Sequence, residues 1–189
     1  MAEPARQRAT LADLEAVPAN LSAELIRGVL YTMARPKPRH QHANVSLSGE
    51  VSGPFQRGRG GPGGWWILTE PGIAFPSLDV DEVSPDLAGW RKDRMPELPD
   101  ARITVVPDWV CEILSPSTRS HDQRIKRPLH AQAGVRWMWV VDVDARTVVA
   151  SRNEGGKWLE LGVFVDDDVL RAEPFETHGI ELEALWALR

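Results

Sequence analysis

The stretch VVPDWVCEIL, residues 105–114, decides the fold because it predicts a β-strand that is apolar on both faces. Side chains alternate across a strand, so Glu112 shares one face with Val110 and Leu114. The intervening residues, all apolar, occupy the other face. A strand of this kind is typical of the centre of a sheet that is covered on both sides. We therefore expect residues 105–114 to form a central strand.

The elements on either side of this strand follow from periodicity and from turn residues. Upstream, the sequence predicts a short helical or irregular start over 1–20, a hairpin over 23–33 around Arg27-Gly28, a helix over 40–55, a strand over 65–75 bent at Pro71-Gly72, and a strand within 83–90. Downstream, it predicts a polar and then helical segment over 115–134, a strand over 135–143, a hairpin around 153–156, and a short helix over 179–188. This order predicts an α/β or α+β fold with a mixed sheet flanked by helices.

Length and composition predict a single domain. The chain has 189 residues, a net charge of −5, 42% hydrophobic residues and 26% charged residues. These values are ordinary for a globular protein and exclude a disordered chain or a disulfide scaffold. We expect one domain over 1–189, with a core at about 20–165 and an acidic C-terminal extension over 166–189.

Cysteine usage and apolar run length bear on location. The single cysteine, Cys111, cannot form an internal disulfide, and its apolar surroundings predict a small buried side chain. Proteins without disulfides are typical of reducing compartments. The apolar runs are shorter than the ~18 residues of a membrane span, and residues 1–4 lack the signature of a signal peptide. We therefore expect a cytoplasmic protein that does not enter a membrane.

Charge is distributed unevenly along the chain. Residues 27–59 carry six basic residues and one acidic residue, whereas residues 160–189 carry eight acidic residues and two arginines. The net acidic charge excludes a global basic field that would hold nucleic acid. The basic segment is either ordinary solvated surface or the basic rim of a site.

Glu112 is the residue most suggestive of chemistry. It lies within an apolar strand, and a buried carboxylate is costly unless it is paired, protonated or bound to a metal ion. Two interpretations stay open at this point: a structural ion pair with a nearby arginine, or a metal-binding or acid–base role.

A second carboxylate strengthens the metal interpretation. Asp86, in SPDLAG (84–89), follows a proline and enters the strand predicted within 83–90. Two carboxylates on adjacent strands would form a hard oxygen site suited to Mg²⁺ or Mn²⁺. The alternative is that Ser84-Pro85-Asp86 is only a turn.

A basic group is available on the following helix. Asp122, Lys126 and His130 are spaced four residues apart and would share one helix face. Lys126 could then act beside a metal-bound water, or it could form only a surface ion pair with Asp122. Pro128 predicts a kink or a late helix start. His40, at the start of the helix predicted over 40–55, would line the mouth of the site or lie on the surface.

Three segments together resemble a known family. They are SPDLAG (84–89), VPDWVCEILSPSTRSHDQRIK (106–126) and HAQAGVRWMWVVDVDARTV (130–148), and they are similar to the Uma-two family of restriction-endonuclease-like proteins in the PD-(D/E)XK phosphodiesterase superfamily. The hairpin AELIRGVLYTM (23–33) and the proline-rich residues after it also resemble that family. The resemblance covers roughly residues 20–165 and implies a restriction-endonuclease-like core with a metal site at one edge of its sheet.

The resemblance also implies roles for individual residues. Asp86 matches the first acid of the superfamily pattern and Glu112 the second. The superfamily lysine normally follows two residues after the second acid, where this chain has Leu114. In the resembled family that lysine comes from the next helix, which corresponds to Lys126.

One position departs from the family pattern, and two others match it without an equally clear role. His130 stands where the family often has a tyrosine. Glu24 and His40 match other family positions, and we treat both as accessory residues of the expected site.

The resulting hypothesis is a metal-dependent phosphodiesterase that acts as an endonuclease on nucleic acid, with DNA as the expected substrate. Asp86 and Glu112 would hold Mg²⁺ or Mn²⁺, and Lys126 would orient the attacking water or stabilise the transition state. Asp122 would position Lys126. Arg119 or Arg124 would bind the backbone phosphate.

Two other classes of function remain open on sequence grounds. The first is a nucleic-acid-binding or regulatory module that has the same fold and no catalysis. The second is a structural protein in which Asp86, Glu112 and Lys126 form one buried ion network. A homodimer is plausible in the catalytic case, since twofold symmetry suits the cutting of two strands.

Overall fold

The computed structural model describes residues 8–186. Its largest sheet has six strands: β3 (Trp65–Thr69), β6 (Leu87–Arg91), β7 (Trp109–Leu114), β8 (Trp137–Asp142), β9 (Thr147–Glu154) and β10 (Lys157–Val165). Their order across the sheet is β10-β9-β8-β7-β6-β3. The β7–β8 pair is parallel and the other pairs are antiparallel. The sheet is therefore mixed, and β7 is an inner strand, which confirms the mixed α+β class and the central strand.

A second sheet of four strands contains the N-terminal hairpin. Its strands are β1 (Leu21–Ile26), β2 (Val29–Ala34), β4 (Ile73–Phe75) and β5 (Val80–Val83), in the order β2-β1-β5-β4. Arg27 and Gly28 join β1 to β2 with φ angles of 55° and 72°. Two positive φ angles in a two-residue turn match the twist of an antiparallel hairpin, so the predicted hairpin is confirmed.

The helices are short except for one. They are α1 (Leu11–Glu15), α2 (Pro38–Val51), α3 (Arg119–His121) and α4 (Arg127–Ala133). A π-helical segment follows α2 at Ser52–Gln56, and another joins α3 to α4 at Asp122–Lys126. Within residues 8–186, none of the helices has the length and apolar character needed to cross a membrane.

Each face of β7 packs into its own hydrophobic core. Trp109, Cys111 and Ile113 lie in one core, together with apolar residues of α2 and of the C-terminal segment. Val110 lies in the other core. The alternation read from the sequence is therefore confirmed, and Cys111 is a fully buried free cysteine. Burial of each large side chain in such a core contributes about 1.5–3 kcal/mol.

Two predicted strands differ from those observed. Residues 65–75 do not form one bent strand, since β3 and β4 belong to different sheets and the chain turns at Glu70, whose φ is 46°. The central strand begins at Trp109 instead of Val105. Pro107 explains the later start, because proline has no amide hydrogen to donate to a neighbouring strand.

The C-terminal segment also differs from expectation. In place of the helix predicted over 179–188, the structure has β12 (Ile180–Glu181), paired with β11 (Val169–Leu170), and a short 3-10 turn at Leu182–Leu185. Leu170 and Phe175 are buried in the core that contains Trp109, so the acidic extension packs against the main sheet. The last two residues of the predicted helix and the N-terminal residues 1–4 lie outside the described part of the chain.

Candidate active site

Glu112 is the buried centre of the site. Its side chain is fully buried, and both of its carboxylate oxygens accept hydrogen bonds. Lys126 Nζ donates to Oε2 at 2.7 Å, and His130 Nε2 lies 2.9 Å from Oε1. The buried carboxylate is therefore paired, and its cation is the lysine of the following helix.

A π-helical segment brings the predicted helix face to Glu112. Asp122, Lys126 and His130 are all buried on the side that faces the sheet. At the end of the segment the amide of Arg127 donates to the carbonyl of Asp122, five residues earlier. Pro128 follows at once. In a regular α-helix its ring would clash with the carbonyl four residues before it, and the wider turn avoids that clash.

Lys126 lies among several carboxylates. Its Nζ is 2.7 Å from Glu112, 3.4 Å from Glu24 and 3.8 Å from Asp122, and it donates to the carbonyl of Ser84 at 2.9 Å. Burial lowers the pKa of Lys126, but the surrounding carboxylates raise it by more, so its pKa stands well above the usual value. Lys126 is therefore a fixed positive charge at neutral pH.

Glu24 is a second buried partner of Lys126 and comes from the N-terminal hairpin. It accepts hydrogen bonds from the amide of Ser84 at 3.0 Å and lies 2.6 Å from His121 Nε2. Burial raises the pKa of Glu24, but Lys126, His121 and Ser84 together lower it to about 2. The structure thus gives this accessory residue a defined place beside the lysine.

His121 was not singled out from the sequence. It precedes Asp122 on the helix, and its ring also packs against Tyr31 with ring centroids 4.7 Å apart. Its partner Glu24 lies 97 residues earlier in the chain. Local spacing carries no signal for a pair so far apart, which explains why sequence reasoning missed it.

Asp86 lies directly across from Glu112. It precedes Leu87, which pairs with Cys111 in the antiparallel β6–β7 ladder. Its Oδ2 accepts the amide of Ile113 at 2.6 Å, and its Oδ1 lies 3.1 Å from His40 Nε2. Burial lowers the pKa of His40, but Asp86, the backbone of Ile113 and the charge of Asp122 together raise it by more. The structure therefore brings the two acids chosen from the sequence close together, with Asp86 immediately before β6 and Glu112 on the adjacent strand β7.

These groups surround a cleft between the two sheets. The cleft has a volume of about 250 Å³. Its charged and polar lining includes Glu24, His40, Glu70, Asp86, Asp122 and Lys126. Arg35 lies at its edge, where it donates to the carbonyl of Ala19. Glu112 lies behind Lys126 and is not part of the lining.

The site has more negative than positive groups. Burial raises the pKa of Glu112 well above its usual value; Lys126 opposes that rise, and repulsion from Asp122 and Asp86 adds to it. Burial likewise raises the pKa of Asp122, with repulsion from Asp86 and Glu24. Carboxylates whose ionisation is opposed by their neighbours are a setting in which a cation is stabilising.

His130 is neutral in this setting. Burial and the nearby charge of Lys126 together lower its pKa to about 3. A neutral imidazole that donates from Nε2 to Glu112 leaves Nδ1 as the acceptor nitrogen. Nδ1 has no hydrogen-bond partner among the described residues. His130 therefore fixes Glu112 by a single hydrogen bond.

The donor chemistry of the cleft fits a hard divalent ion. Within residues 8–186, no three Asp, Glu, His or Cys side chains are gathered as a ready set of ligands. Mg²⁺ is commonly held by one or two carboxylates, with water and substrate phosphate completing its shell. Asp86 faces the cleft and is suited to that role. Glu112 could join it only by exchanging one of its two present partners.

The two arginines expected at the phosphate differ in their contacts. Arg119 forms an ion pair with Asp142 at the end of β8, with Nη1 2.6 Å from Oδ2. Arg124 is exposed on the same helical run. Arg119 would have to release Asp142 before it could bind a phosphate.

Comparison with known proteins assigns this mixed sheet and its acidic cleft to a restriction-endonuclease-like class. The chain belongs to the Uma2 family, described as "Putative restriction endonuclease", whose model matches residues 9–185. The structure is similar to that of a "putative nuclease belonging to DUF820" from Anabaena variabilis ATCC 29413. That similarity has a TM-score of 0.70 at 22% identity and covers 94% of this chain and 97% of the other, which supports the fold. No curated protein matches the chain.

Proposed function

We propose that this protein is a metal-dependent phosphodiesterase that cleaves nucleic acid internally, with DNA as the substrate. One observation carries the proposal. A buried lysine, Lys126, lies among Glu112, Glu24 and Asp122, and Asp86 faces the same cleft from the neighbouring strand. Membership of the Uma2 family supports the same class of reaction.

Asp86 and Glu112 are the proposed metal ligands. Mg²⁺ or Mn²⁺ bound there would polarise a phosphate oxygen and lower the pKa of a coordinated water. The amide of Ile113 holds Asp86 in place at 2.6 Å, and His130 holds Glu112 at 2.9 Å. The protein thus orients both carboxylates by hydrogen bonds from groups that lie outside the cleft.

Lys126 is the proposed positively charged group of the catalytic site. It keeps its proton, because its pKa stands well above the usual value, so it acts as a hydrogen-bond donor and positive charge. In that form it can orient the attacking water and stabilise the charge that develops on the phosphoryl oxygens. Asp122 and Glu24 hold its ammonium group from two sides and are positioning residues.

Phosphate binding and assembly complete the proposal. Arg124 is exposed on the helix that carries Lys126 and can bind a backbone phosphate, with Arg119 as a second contact once it leaves Asp142. We also propose a homodimer, because twofold symmetry would place two sites on the two strands of a duplex.

Cleavage by the purified protein tests the proposal. Supercoiled plasmid and a single-stranded circular DNA would be incubated with Mg²⁺, with Mn²⁺ and with EDTA, and nicked products quantified. We expect cleavage that requires the metal and falls at least a hundredfold in Glu112→Gln and in Asp86→Asn. Glu160→Gln, which removes an exposed acid on β10, is the matched control and should retain full activity.

Two outcomes would contradict the proposed catalysis. Cleavage that persists in Glu112→Gln from a clean preparation would remove Glu112 from the mechanism. Absence of cleavage by the parent protein under all three conditions would remove the enzyme class. Unchanged circular dichroism spectra would show that the variants fold, so that a loss of activity reports on chemistry.

A second candidate is a nucleic-acid-binding or regulatory module without catalysis. The observation that favours it is that both Glu112 oxygens are already engaged by Lys126 and His130. This candidate predicts no heat of Mg²⁺ binding in calorimetry, together with nucleic-acid binding that weakens steeply with salt. A purely structural ion network would likewise show no heat of Mg²⁺ binding, but it would show no binding of nucleic acid either.

A further inference from the structure

A second cavity, here called the side pocket, adjoins the cleft on the other side of His40. It has a volume of about 420 Å³. Its walls come from residues 37–40 at the start of α2, residues 114–116 at the end of β7, and residues 143–144 after β8. His40 and Ser115 line both cavities, so the side pocket lies next to the cleft.

The walls and the rim of the side pocket differ in character. The walls are mainly apolar and include Pro38, Leu114, Pro116 and Val143. Lys37 and Arg39 stand exposed at the rim, with Asp144 as the acidic residue of the lining. An apolar cavity behind a basic rim complements a molecule with an apolar body and a negatively charged chain.

The start of α2 adds to the positive character of the rim. Lys37 has extended backbone angles of −77° and 162° and lies between two prolines, 36 and 38, which restrict this segment. Among the described residues, no side chain accepts a hydrogen bond from the free amides at the N-terminus of α2. The helix has 14 residues, and its first-turn amides and dipole favour an anion.

An unpaired polar atom lies between the two cavities. The side chain of His40 is only 8% exposed, and its Nε2 lies 3.1 Å from Asp86. Its other ring nitrogen, Nδ1, has no hydrogen-bond partner within residues 8–186. The two nitrogens of an imidazole point in divergent directions, so Nδ1 is turned away from Asp86. Nδ1 is itself enclosed by the protein, so the His40 ring forms part of the wall between the two cavities.

We propose that the side pocket takes the base of an unpaired nucleotide next to the phosphate bound in the cleft, with flanking phosphates on Lys37 and Arg39. The inference rests on the proposed function, which supplies nucleic acid as the substrate. A closed duplex offers the protein phosphates and groove edges and keeps its bases stacked, so it cannot fill an apolar cavity. A strand with a splayed base can do so. The site therefore selects single-stranded or locally opened nucleic acid.

Binding in EDTA tests the side pocket without any cleavage. The probes are a fluorescein-labelled single-stranded DNA 12-mer and the matching duplex, with affinity followed by fluorescence anisotropy across a salt series. For the Lys37→Gln, Arg39→Gln double variant we expect single-strand affinity to fall about tenfold and the salt slope to fall by about 1.4, which corresponds to two lost phosphate contacts. Val143→Phe, which fills the pocket, should weaken single-strand binding about tenfold and leave duplex binding unchanged.

Matched controls lie at the far end of the sheet. Arg136→Gln, Lys157→Gln removes the same charges from exposed residues at the other end of β8 and β10, and Val163→Phe enlarges an exposed valine. Both controls should bind like the parent. Thermal melting checks that Val143→Phe is folded, and the surface double variant provides an independent test if it is not.

Three results would overturn the side pocket. They are absence of single-strand binding at low salt, equal losses for single strand and duplex in the double variant, and parental single-strand affinity in a folded Val143→Phe. Failure of metal-dependent cleavage with the expected binding pattern would instead overturn only the catalytic part of the proposed function.

Discussion

Lys126 and Glu112 form a buried ion pair, and each side chain depends on the other to compensate its charge. Both side chains are almost fully removed from water, and the pair is joined by a 2.7 Å hydrogen bond. A buried pair contributes little net stability over apolar residues, but removal of one partner leaves the other charge uncompensated. The interaction energy between these two residues should therefore be larger than the net contribution of the pair to the free energy of unfolding.

Unfolding measurements on single and double variants check this coupling. We expect Lys126→Met to lower the free energy of unfolding by about 3 kcal/mol, as for other broken buried pairs. Lys126→Met with Glu112→Gln should lose clearly less than the sum of the single losses. Urea titrations of the four proteins give the comparison. Additive losses would show that the two residues act independently.

His130 makes stability depend on pH in a defined direction. Its folded pKa is lowered to about 3, below the 6.5 of an ordinary histidine. The unfolded chain therefore binds a proton between these values that the folded chain does not. The contribution of His130 is complete above pH 6.5 and is lost progressively as the pH falls towards 3.

His130→Phe should remove this dependence. In the parent, the free energy of unfolding should fall by about 1 kcal/mol for each pH unit between 6 and 5 from this residue. The difference between parent and variant should accordingly shrink over that interval as the pH is lowered. Urea titrations at pH 7, 6 and 5 measure it, and a difference that stays constant with pH would contradict a neutral His130.

At the scale of elements, the helical run 119–133 is tied to the sheet at its start. Arg119 pairs with Asp142, the last residue of β8, and Asp142 also accepts the amides of Asp144 and Ala145. The hydrogen bond from Arg119 is the main cause that lowers the pKa of Asp142. The tie fixes the helix one turn before the π-helical segment that carries Lys126.

Asp142→Asn tests the tie. The amide oxygen can still accept the turn amides, but the ion pair with the half-exposed Arg119 is lost. We expect a loss of about 0.5–1 kcal/mol at pH 7. Because the folded pKa of Asp142 is lowered from 3.8, the parent keeps this contribution above pH 4 and loses it as the pH falls further. Parent and variant should therefore converge as the pH falls below 3.8, and a loss that stays constant as the pH falls would argue against the ion pair.

Sequence patterns predicted the strands and helices better than the irregular segments that connect them. The alternation of residues 109–114 and the four-residue spacing of Asp122, Lys126 and His130 are local signals, and the structure shows both faces as expected. Pro128 correctly predicted a disturbed helix but could not specify a π-helical turn. That turn depends on which side chains of the helix pack against the sheet, and local sequence does not contain this information.

At the scale of the whole molecule, the cleft is formed where two sheets meet. Glu24 comes from the smaller sheet, Asp86 and Glu112 come from the larger one, and Lys126 comes from the helix between β7 and β8. Asp86 and Glu112 were within reach of sequence reasoning because they lie on adjacent strands. The contact between Glu24 and His121 was not, because it depends on how the two sheets pack.

Excess negative charge in this cleft makes the stability of the whole fold sensitive to a divalent ion. A ligand that binds only the folded state adds RT ln(1 + [L]/Kd) to the free energy of unfolding. With a Kd of about 1 mM, 10 mM Mg²⁺ would add about 1.4 kcal/mol, which corresponds to a rise of about 3–6 °C in Tm for a chain of this size. We expect that rise in the parent and in Glu160→Gln, measured by calorimetric melting against NaCl of equal ionic strength. Asp86→Asn should lose it, because its side chain is the proposed ligand that faces the cleft. An equal rise in Asp86→Asn would place the ion elsewhere on the protein and would separate the acidic cleft from the proposed metal chemistry.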